Sequence, residues 1–478
     1  MSDRKLTLLL YVIFTSLYAL LAGPRLLRPS TDTHFVYLAD SWLHKRLDLG
    51  HAPPHSNDWA EVETLKLKDG SQLLGQQVRG SAERFKLLSG KQQAVPADQI
   101  VGREKKYYVS FPPGPALLML PLVKVLGHRT PDVLFTVLLA GAIPALLLLV
   151  LRRLPRLISP SSEQSEDPSR QRELVLTVLL GLGSVLFFSS VQGQVWYTAH
   201  IVSLVLLELY LLCILPLRHP GTAGLLLGLI FLTRPQMAAF GLLFVLELLR
   251  KHSPDGDYPI WPLSRLKTLR LSALLPTLLR FALPCGLLVA AGLAHNQLRF
   301  HKLLEFGHSY LTTMQADNIQ RFGLFNYQYL QRNLAAALTL LPKLLPAPPY
   351  IQVSYHGLAL WFTTPALLYL LWPEPAPEAA PEAAQKRKQL RLALWTVVAP
   401  IALASLMYQN DGYIQFGFRF SLDYMVALVM LLWLGSPAAI LTRRFLALVL
   451  WGVGVNLLGA ISFGRMWQFY WNGFFPVP

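Results

Sequence analysis

Apolar blocks about as long as a bilayer is thick recur along this chain, and they leave few folds open to it. They lie near 6–23, 131–151, 174–191, 198–217, 221–249, 272–293, 357–372, 393–407, 422–440 and 445–463. A helix needs about 20 apolar residues to cross the hydrocarbon core. Inside lipid, only helices and closed barrels satisfy their own backbone hydrogen bonds. Of the 478 residues 53% are hydrophobic and 15% charged, against about a quarter charged in a soluble domain. The chain reads as an all-α polytopic integral membrane protein.

The formal net charge of +16 does not point to nucleic acid. The basic residues sit in short segments between apolar blocks, as cytoplasmic loops do under the positive-inside rule, and no Arg-rich stripe with interleaved aromatics stands out. These segments hold Arg152, Arg153, Arg156, Arg170 and Arg172; Arg250, Lys251, Arg265, Lys267 and Arg270; Lys386, Arg387, Lys388 and Arg391; and Arg443 and Arg444. Placing all of them inside requires that Pro115–Gly127 not cross. At about 13 residues it is short for a span and reads as a helix lying in the outer interface, the alternative being a short tilted span. Cys213 and Cys285 both lie in apolar blocks, which implies no disulfide framework. The N-terminal block lacks a small-x-small cleavage site and reads as a retained span.

The block 221–249 is too long for one crossing and short for two, and Thr233-Arg234-Pro235-Gln236 interrupts it. Proline cannot continue a helix undisturbed. Two arms of about 14 residues rise about 21 Å each, so the turn falls in the outer half of the bilayer. Irregular backbone there must be buried in protein or line a watery cavity. Arg234 therefore faces a cavity or snorkels to the interface. The resulting threading has about eleven crossings, with a cytoplasmic N-terminus and an outside C-terminus. Its spans fall in 1–23, 131–293 and 357–463, with outer segments 24–130, 294–356 and 408–421, the turn 192–197 and the tail 464–478. Segments 159–170 and 373–385 read as low-complexity inner linkers. Residues 61–110 read as a small β insertion, with a hairpin turn at Asp69-Gly70 and a similar pattern at Leu87-Leu88-Ser89-Gly90. It is too small for a sizeable core and reads as an accessory module.

Polar residues gather on the outer side: Asp32, His34, Asp40, His200, Arg234, His308, Tyr310, Asp411, Arg419 and Asp423. No Walker loop, GxGxxG, HExxH or zinc-type Cys/His spacing competes with them. An outward-facing enzyme has no access to cytoplasmic nucleotide sugars, so its activated donor must already be in the membrane. A lipid-linked phosphosugar meets that condition.

Three motifs in order carry a resemblance. Asp32 follows the first span, Phe-Pro-Pro-Gly-Pro-Ala-Leu-Leu-Met-Leu-Pro begins at Phe111, and Gly-Leu-Ile-Phe-Leu-Thr-Arg-Pro runs from 228 to 235. Over about residues 1–250 the chain resembles the GT-C membrane glycosyltransferases, in the branch of the protein O-mannosyltransferases and aminoarabinose transferases. The resemblance implies a GT-C-like fold in the bacterial inner membrane. It also implies a polyprenyl-phosphate sugar donor, a lipid, glycan or protein acceptor, and inversion at the sugar. Asp32 matches the acidic residue of the first outer loop that serves as general base. Its other reading is a cap for the helix beginning near His34, and Asp40 and Asp58 are further candidates for the base. Arg234 is the leading donor-phosphate ligand, because a guanidinium fork matches phosphate oxygens, and Arg419 is the second. The aromatics beside Arg419 suit sugar stacking or an interfacial belt. His34, Asp40, Tyr108, His200 and His308 are candidate substrate contacts.

The chain departs from the branch at three places. Asp32 is followed by Thr33 rather than a second acid. Phe111 stands where lysine is common, leaving Lys105, Lys106 or Tyr108 to reach the phosphate. His200 stands near the outer start of the fourth span, where the aminoarabinose branch has an acid, and reads as a substrate contact or as structural. No cofactor or metal is indicated, although Asp32, Asp40 and Asp58 can converge in space. Rival readings are a lipid-linked oligosaccharide flippase, a non-catalytic assembly protein, and a related ligase or polymerase.

Overall fold

The computed structural model describes residues 2–78, 80–81, 83–158, 166–253, 256–258, 271–313, 315–374 and 381–474. It is mostly helical, and six helices are long and apolar enough to cross a membrane. These are α1 (Asp3–Ala22), α4 (Asp132–Leu151), α8 (Val195–Ile214), α11 (Leu271–Phe300), α15 (Pro381–Leu406) and α17 (Arg443–Ser462). Short helices separate them: α2 (His34–Leu43), α3 (Gly114–Leu126), α5 (Leu154–Ile158), α6 (Glu166–Gly181), α7 (Leu186–Ser190), α9 (Pro220–Phe231), α10 (Gly241–His252), α12 (Gln315–Phe322), α13 (Leu330–Leu338), α14 (Leu360–Thr363) and α16 (Leu422–Gly435).

Helical periodicity sets which faces pack. In α1 the residues Leu6, Leu10, Phe14, Tyr18 and Ala22 are buried. They recur every fourth position along one stripe, which packs on α4. The opposite face leaves Leu8, Leu9, Val12 and Ile13 exposed, as a lipid-facing side would. Gly141 lets the two axes approach, since a Cβ there would lie 1.9 Å from Thr15 Oγ1. Helix α11 packs against α9 at the periphery and exposes Leu275, Leu279, Leu283 and Leu287. Gly224 permits that contact, because a Cβ at this position would meet the Phe281 carbonyl at 1.9 Å. Small residues at the seam are how helices approach closely where lipid supplies no hydrophobic drive.

Several apolar blocks are not continuous helices. Block 174–191 is split between α6 and α7. Block 357–372 holds only α14 and a 3₁₀ turn from Pro365 to Leu370. Pro365 lacks the N–H an α-helix would need there. Conversely, residues 381–385, read from composition as linker, form the first turns of α15, and 166–170 open α6. Of those two linkers, 159–165 and 375–380 lie outside the described residues. The pair 221–249 does break at Thr233–Arg234, where α9 ends and a 3₁₀ turn (Pro235–Phe240) leads into α10.

The β insertion is a five-stranded antiparallel sheet of order β4-β3-β2-β1-β5. Its strands are β1 (Trp59–Leu67), β2 (Gln72–Gln77), β3 (Arg84–Leu87), β4 (Gln92–Ala94) and β5 (Ile100–Val109). Gly70 and Gly90 sit at φ of 85° and 97° in the two turns, a region that glycine alone enters without strain. The sheet does not merely rest on the bundle. Gln76 Nε2 donates to the Tyr310 carbonyl at 2.9 Å, Arg299 Nη1 donates to the Val109 carbonyl at 2.8 Å, and Ala60 bridges to Leu311. The segment read as either an interfacial helix or a short tilted span is helical, as α3. It buries Ala116, Met119 and Val123 and exposes Leu118, Leu122 and Val125.

Candidate functional site

Beside the sheet, the broken α9–α10 pair, the start of α8, the segment after α11 and the approach to α16 enclose a cavity of about 490 Å³. Each wall has a local cause. At the α9 break, Arg234 is at φ −141° and ψ 87°, outside helical space, because Pro235 follows it. The Phe111-Pro112 turn is docked against this break. Gly114 N donates to the Leu232 carbonyl at 2.6 Å, and a Cβ on Gly114 would stand 2.3 Å from Thr233 Oγ1. Two of the motifs separated by more than a hundred residues in sequence therefore meet through a glycine with no room for a side chain. On α8, Trp196 and His200 are four residues apart, share one face, and both line the cavity.

Asp423, fully buried in the first turn of α16, organises one side. Its Oδ1 accepts from Arg234 Nε at 3.0 Å and faces His200 Nδ1 at 3.0 Å. Its Oδ2 accepts from Arg234 Nη2 at 2.5 Å and from Gln236 Nε2 at 2.7 Å. The bidentate guanidinium fork expected to grip a phosphate is thus spent on a carboxylate, and Arg234 offers its remaining donor surface to the cavity. His200 is held through Nδ1, and its buried Nε2 has no hydrogen-bond partner among the described residues. Arg419 is different. It is 3% exposed, it donates from Nη1 to the carbonyls of Ile414 (2.9 Å) and Gly412, and its Nε has no partner among the described residues. No carboxylate neutralises it at ion-pair distance among the described residues. Its guanidinium carbon lies 5.4 Å from the ring centroids of both Tyr197 and Phe420, a cation–π arrangement. His308 also lines the cavity, edge-on to Phe111, and burial pushes its pKa below the usual histidine value.

Arg234, Arg419, His200 and His308 therefore share one wall system; the other four expected site residues do not line it. Asp32 is 5% exposed and enclosed by donors. Thr31 Oγ1 (2.6 Å) and Gln194 Nε2 (3.0 Å) reach Oδ2, Asn57 Nδ2 (3.1 Å) reaches Oδ1, and His55 Nε2 is 3.7 Å away. Nor does it cap the helix at His34, whose N-cap is Thr33. His34 is buried and stacked on Trp59 at 3.8 Å, with Nε2 3.0 Å from the Asn57 carbonyl. Burial lowers its pKa to about 4. Asp40 faces His44 and His128, each at 3.4 Å, away from the cavity. Tyr108 packs on Phe300 in the small core under the sheet, where burial raises its pKa to about 12. The three aspartates do not converge with other ligands: among the described residues no group of three His, Cys, Asp or Glu side chains could hold a metal ion.

The carboxylate that does line the cavity is Asp58. It precedes β1 at φ 54°, a left-handed conformation that costs a non-glycine residue energy and is held by its surroundings. Ser110 Oγ donates to its carbonyl at 2.5 Å, and Trp196 Nε1 donates to Oδ2 at 2.9 Å. Burial raises its pKa, while the Trp196 hydrogen bond opposes that shift. Asp423 and Gln236 were not singled out for any role by sequence. Gln236 had a weak signal in its place two residues after Arg234. Asp423 had none beyond its position at a span end, because its partners are remote in sequence. No protein-family model, curated protein or solved structure matches the chain, so what this cavity can do must be read from its own residues.

Proposed function

We propose that this protein is a GT-C-like membrane glycosyltransferase that moves a sugar from a polyprenyl-phosphate donor to an acceptor hydroxyl at the outer face of a bacterial inner membrane. The observation that carries this reading is the pairing of one buried and one part-buried guanidinium group with an apolar rim in one cavity. Arg419 and Arg234 lie within, and Leu304 and Phe325 are exposed at the edge. An amphiphile with one anionic headgroup and a long hydrocarbon tail fits both parts, whereas a free nucleotide sugar would gain nothing from the rim. The eleven crossings of the threading require the shorter helices α6, α9, α10 and α16, and the segment made of α14 and the 3₁₀ turn Pro365–Leu370, to complete spans beside the six long ones.

In this reading Arg419, whose charge is not already matched, carries most of the interaction with the departing phosphate, and Arg234 contributes through the face Asp423 leaves open. His200 and His308 line the path of the sugar or the acceptor. A carboxylate of the first outer segment takes the acceptor proton, and direct displacement inverts the anomeric carbon. Positioned donors in a water-poor site are worth more than in water, and proton removal by one positioned base supplies about 10²–10⁴-fold. The test is reconstitution of the full chain in vesicles with a panel of polyprenyl-phosphate hexoses and pentoses, following release of polyprenyl phosphate. Native mass spectrometry with polyprenyl phosphate checks binding separately. Arg419→Ala should weaken that binding at least tenfold, as expected for a lost charge-assisted contact of about 1.5–3 kcal/mol. Absence of binding by the unaltered protein would refute the donor class.

A further inference from the structure

We propose that Asp58 is the proton acceptor of the transfer and that Asp32 is a positioning residue acting on it through Asn57. The proposal rests on the transferase reading above and reassigns its base within the first outer segment. Geometry separates the two carboxylates. A base must come within hydrogen-bond reach of the proton it removes. Asp32 does not line the cavity, and both its oxygens already accept hydrogen bonds. Asp58 is the one carboxylate that lines the cavity among the described residues, and its Oδ1 accepts no hydrogen bond among them. Asp32 holds Asn57 by its side-chain amide, and Asn57 is the residue immediately before Asp58. The carbonyl of Asp58 is fixed on the other side by Ser110, at the end of the sheet. The left-handed backbone of Asp58 is thus held between the Asp32 amide cage and β5, which is a reason for the sheet to be part of the site.

In the step itself the acceptor oxygen forms a bond to the anomeric carbon while the bond from that carbon to the phosphate oxygen breaks. The bonding pair leaves on the phosphate, whose added negative charge faces Arg419. The acceptor hydroxyl proton passes to Asp58 Oδ1 and from there to water. The partial desolvation that raises the Asp58 pKa makes it a stronger base than an exposed aspartate. The histidines are the rival bases; His200 and His308 both line the same cavity, and His200 Nε2, although buried, accepts or donates no hydrogen bond among the described residues.

The test compares Asp58→Asn, Asp58→Glu, Asp32→Asn and His200→Gln in the full-length protein in vesicles. Transfer is measured with the donor sugar that is active in the unaltered protein, and binding with polyprenyl phosphate alone. Asp58→Asn should lower transfer about 10²–10⁴-fold while binding polyprenyl phosphate at least as tightly, because a negative charge is removed beside the phosphate. Asp58→Glu should recover part of the rate and move the acidic limb of the pH–rate profile. Asp32→Asn should lower the rate less and leave that limb where it is. Near-normal transfer by Asp58→Asn overturns the proposal. So does loss of the acidic limb in Asp32→Asn or His200→Gln but not in Asp58→Asn. If the unaltered protein fails to bind polyprenyl phosphate, the donor reading falls and this assignment with it. If it binds normally and Asp58 is dispensable, only the assignment falls.

Discussion

Removing the charge of Asp423 tests whether the cavity is built around it. Its carboxylate is fully buried and faces His200 on α8 and Arg234 and Gln236 at the break between α9 and α10. In Asp423→Asn one oxygen becomes an amide NH2 group that must point at one of those donors, and Arg234 is left without its counter-charge. Breaking one member of a buried ion pair costs about 3–5 kcal/mol. The Arg234 side chain retains 16% exposure to the cavity, so water there can partly solvate the orphaned cation, which places the expected loss near the low end, about 3 kcal/mol. Equilibrium unfolding in mixed detergent micelles measures it. In the double variant with Arg234→Ala the orphaned cation is gone, so the combined loss should fall short of the sum of the two single losses by about 1–3 kcal/mol. Additivity within about 0.5 kcal/mol would refute the idea that the pair acts as a unit, whatever the absolute losses are.

Gly114→Val should cost about 1–3 kcal/mol, the price of overpacking, because its Cβ must displace Thr233 Oγ1 or the Leu232 carbonyl; it should also weaken polyprenyl phosphate binding by moving Arg234, and unchanged binding with reduced stability would separate the docking from the site. Stability should also fall on acidification through His34. Its folded pKa of about 4 lies below the ordinary value near 6.5, so between those values the unfolded chain binds more protons. The contribution is complete above about pH 6.5, is lost as pH falls towards 4, and amounts to about 3 kcal/mol. Unfolding from pH 7.5 to 4.5 should show that slope in the unaltered protein and a reduced one in His34→Phe; equal slopes would exclude His34 as the source.

Much of the fold is legible locally. The blocks that became α1, α4, α8, α11, α15 and α17 announce themselves because crossing length and helical hydrogen bonding are properties of a short stretch of chain. The interruption at Arg234-Pro235 and the hairpin turn at Asp69-Gly70 are equally local, the first set by a missing N–H and the second by a positive φ. Hydropathy alone was misleading at 357–372, where apolar composition continues through Pro365 but the α-helix does not. Composition was misleading again at 381–385, where alanine and glutamate, read as linker, begin α15.

The residues alone pointed to a membrane class of molecule, to the chemistry-bearing types and to a gathering at span ends of a wider polar set, Asp32, His34 and Asp40 as well as Arg234, His200, Arg419 and His308, since each follows from composition, spacing and position. Only the tertiary structure decided which of them meet. Arg234 finds Asp423 189 residues later in the chain, and Asp32 turns into a cage of donors while Asp58 takes the cavity wall. The reason is physical. Whether a buried carboxylate is a reagent or a strut depends on how many donors surround it. Those donors come from Asn57, Gln194 and Trp196 for one pair of aspartates and from α8, the α9 break and the turn after it for another, all brought together by packing rather than by spacing along the chain.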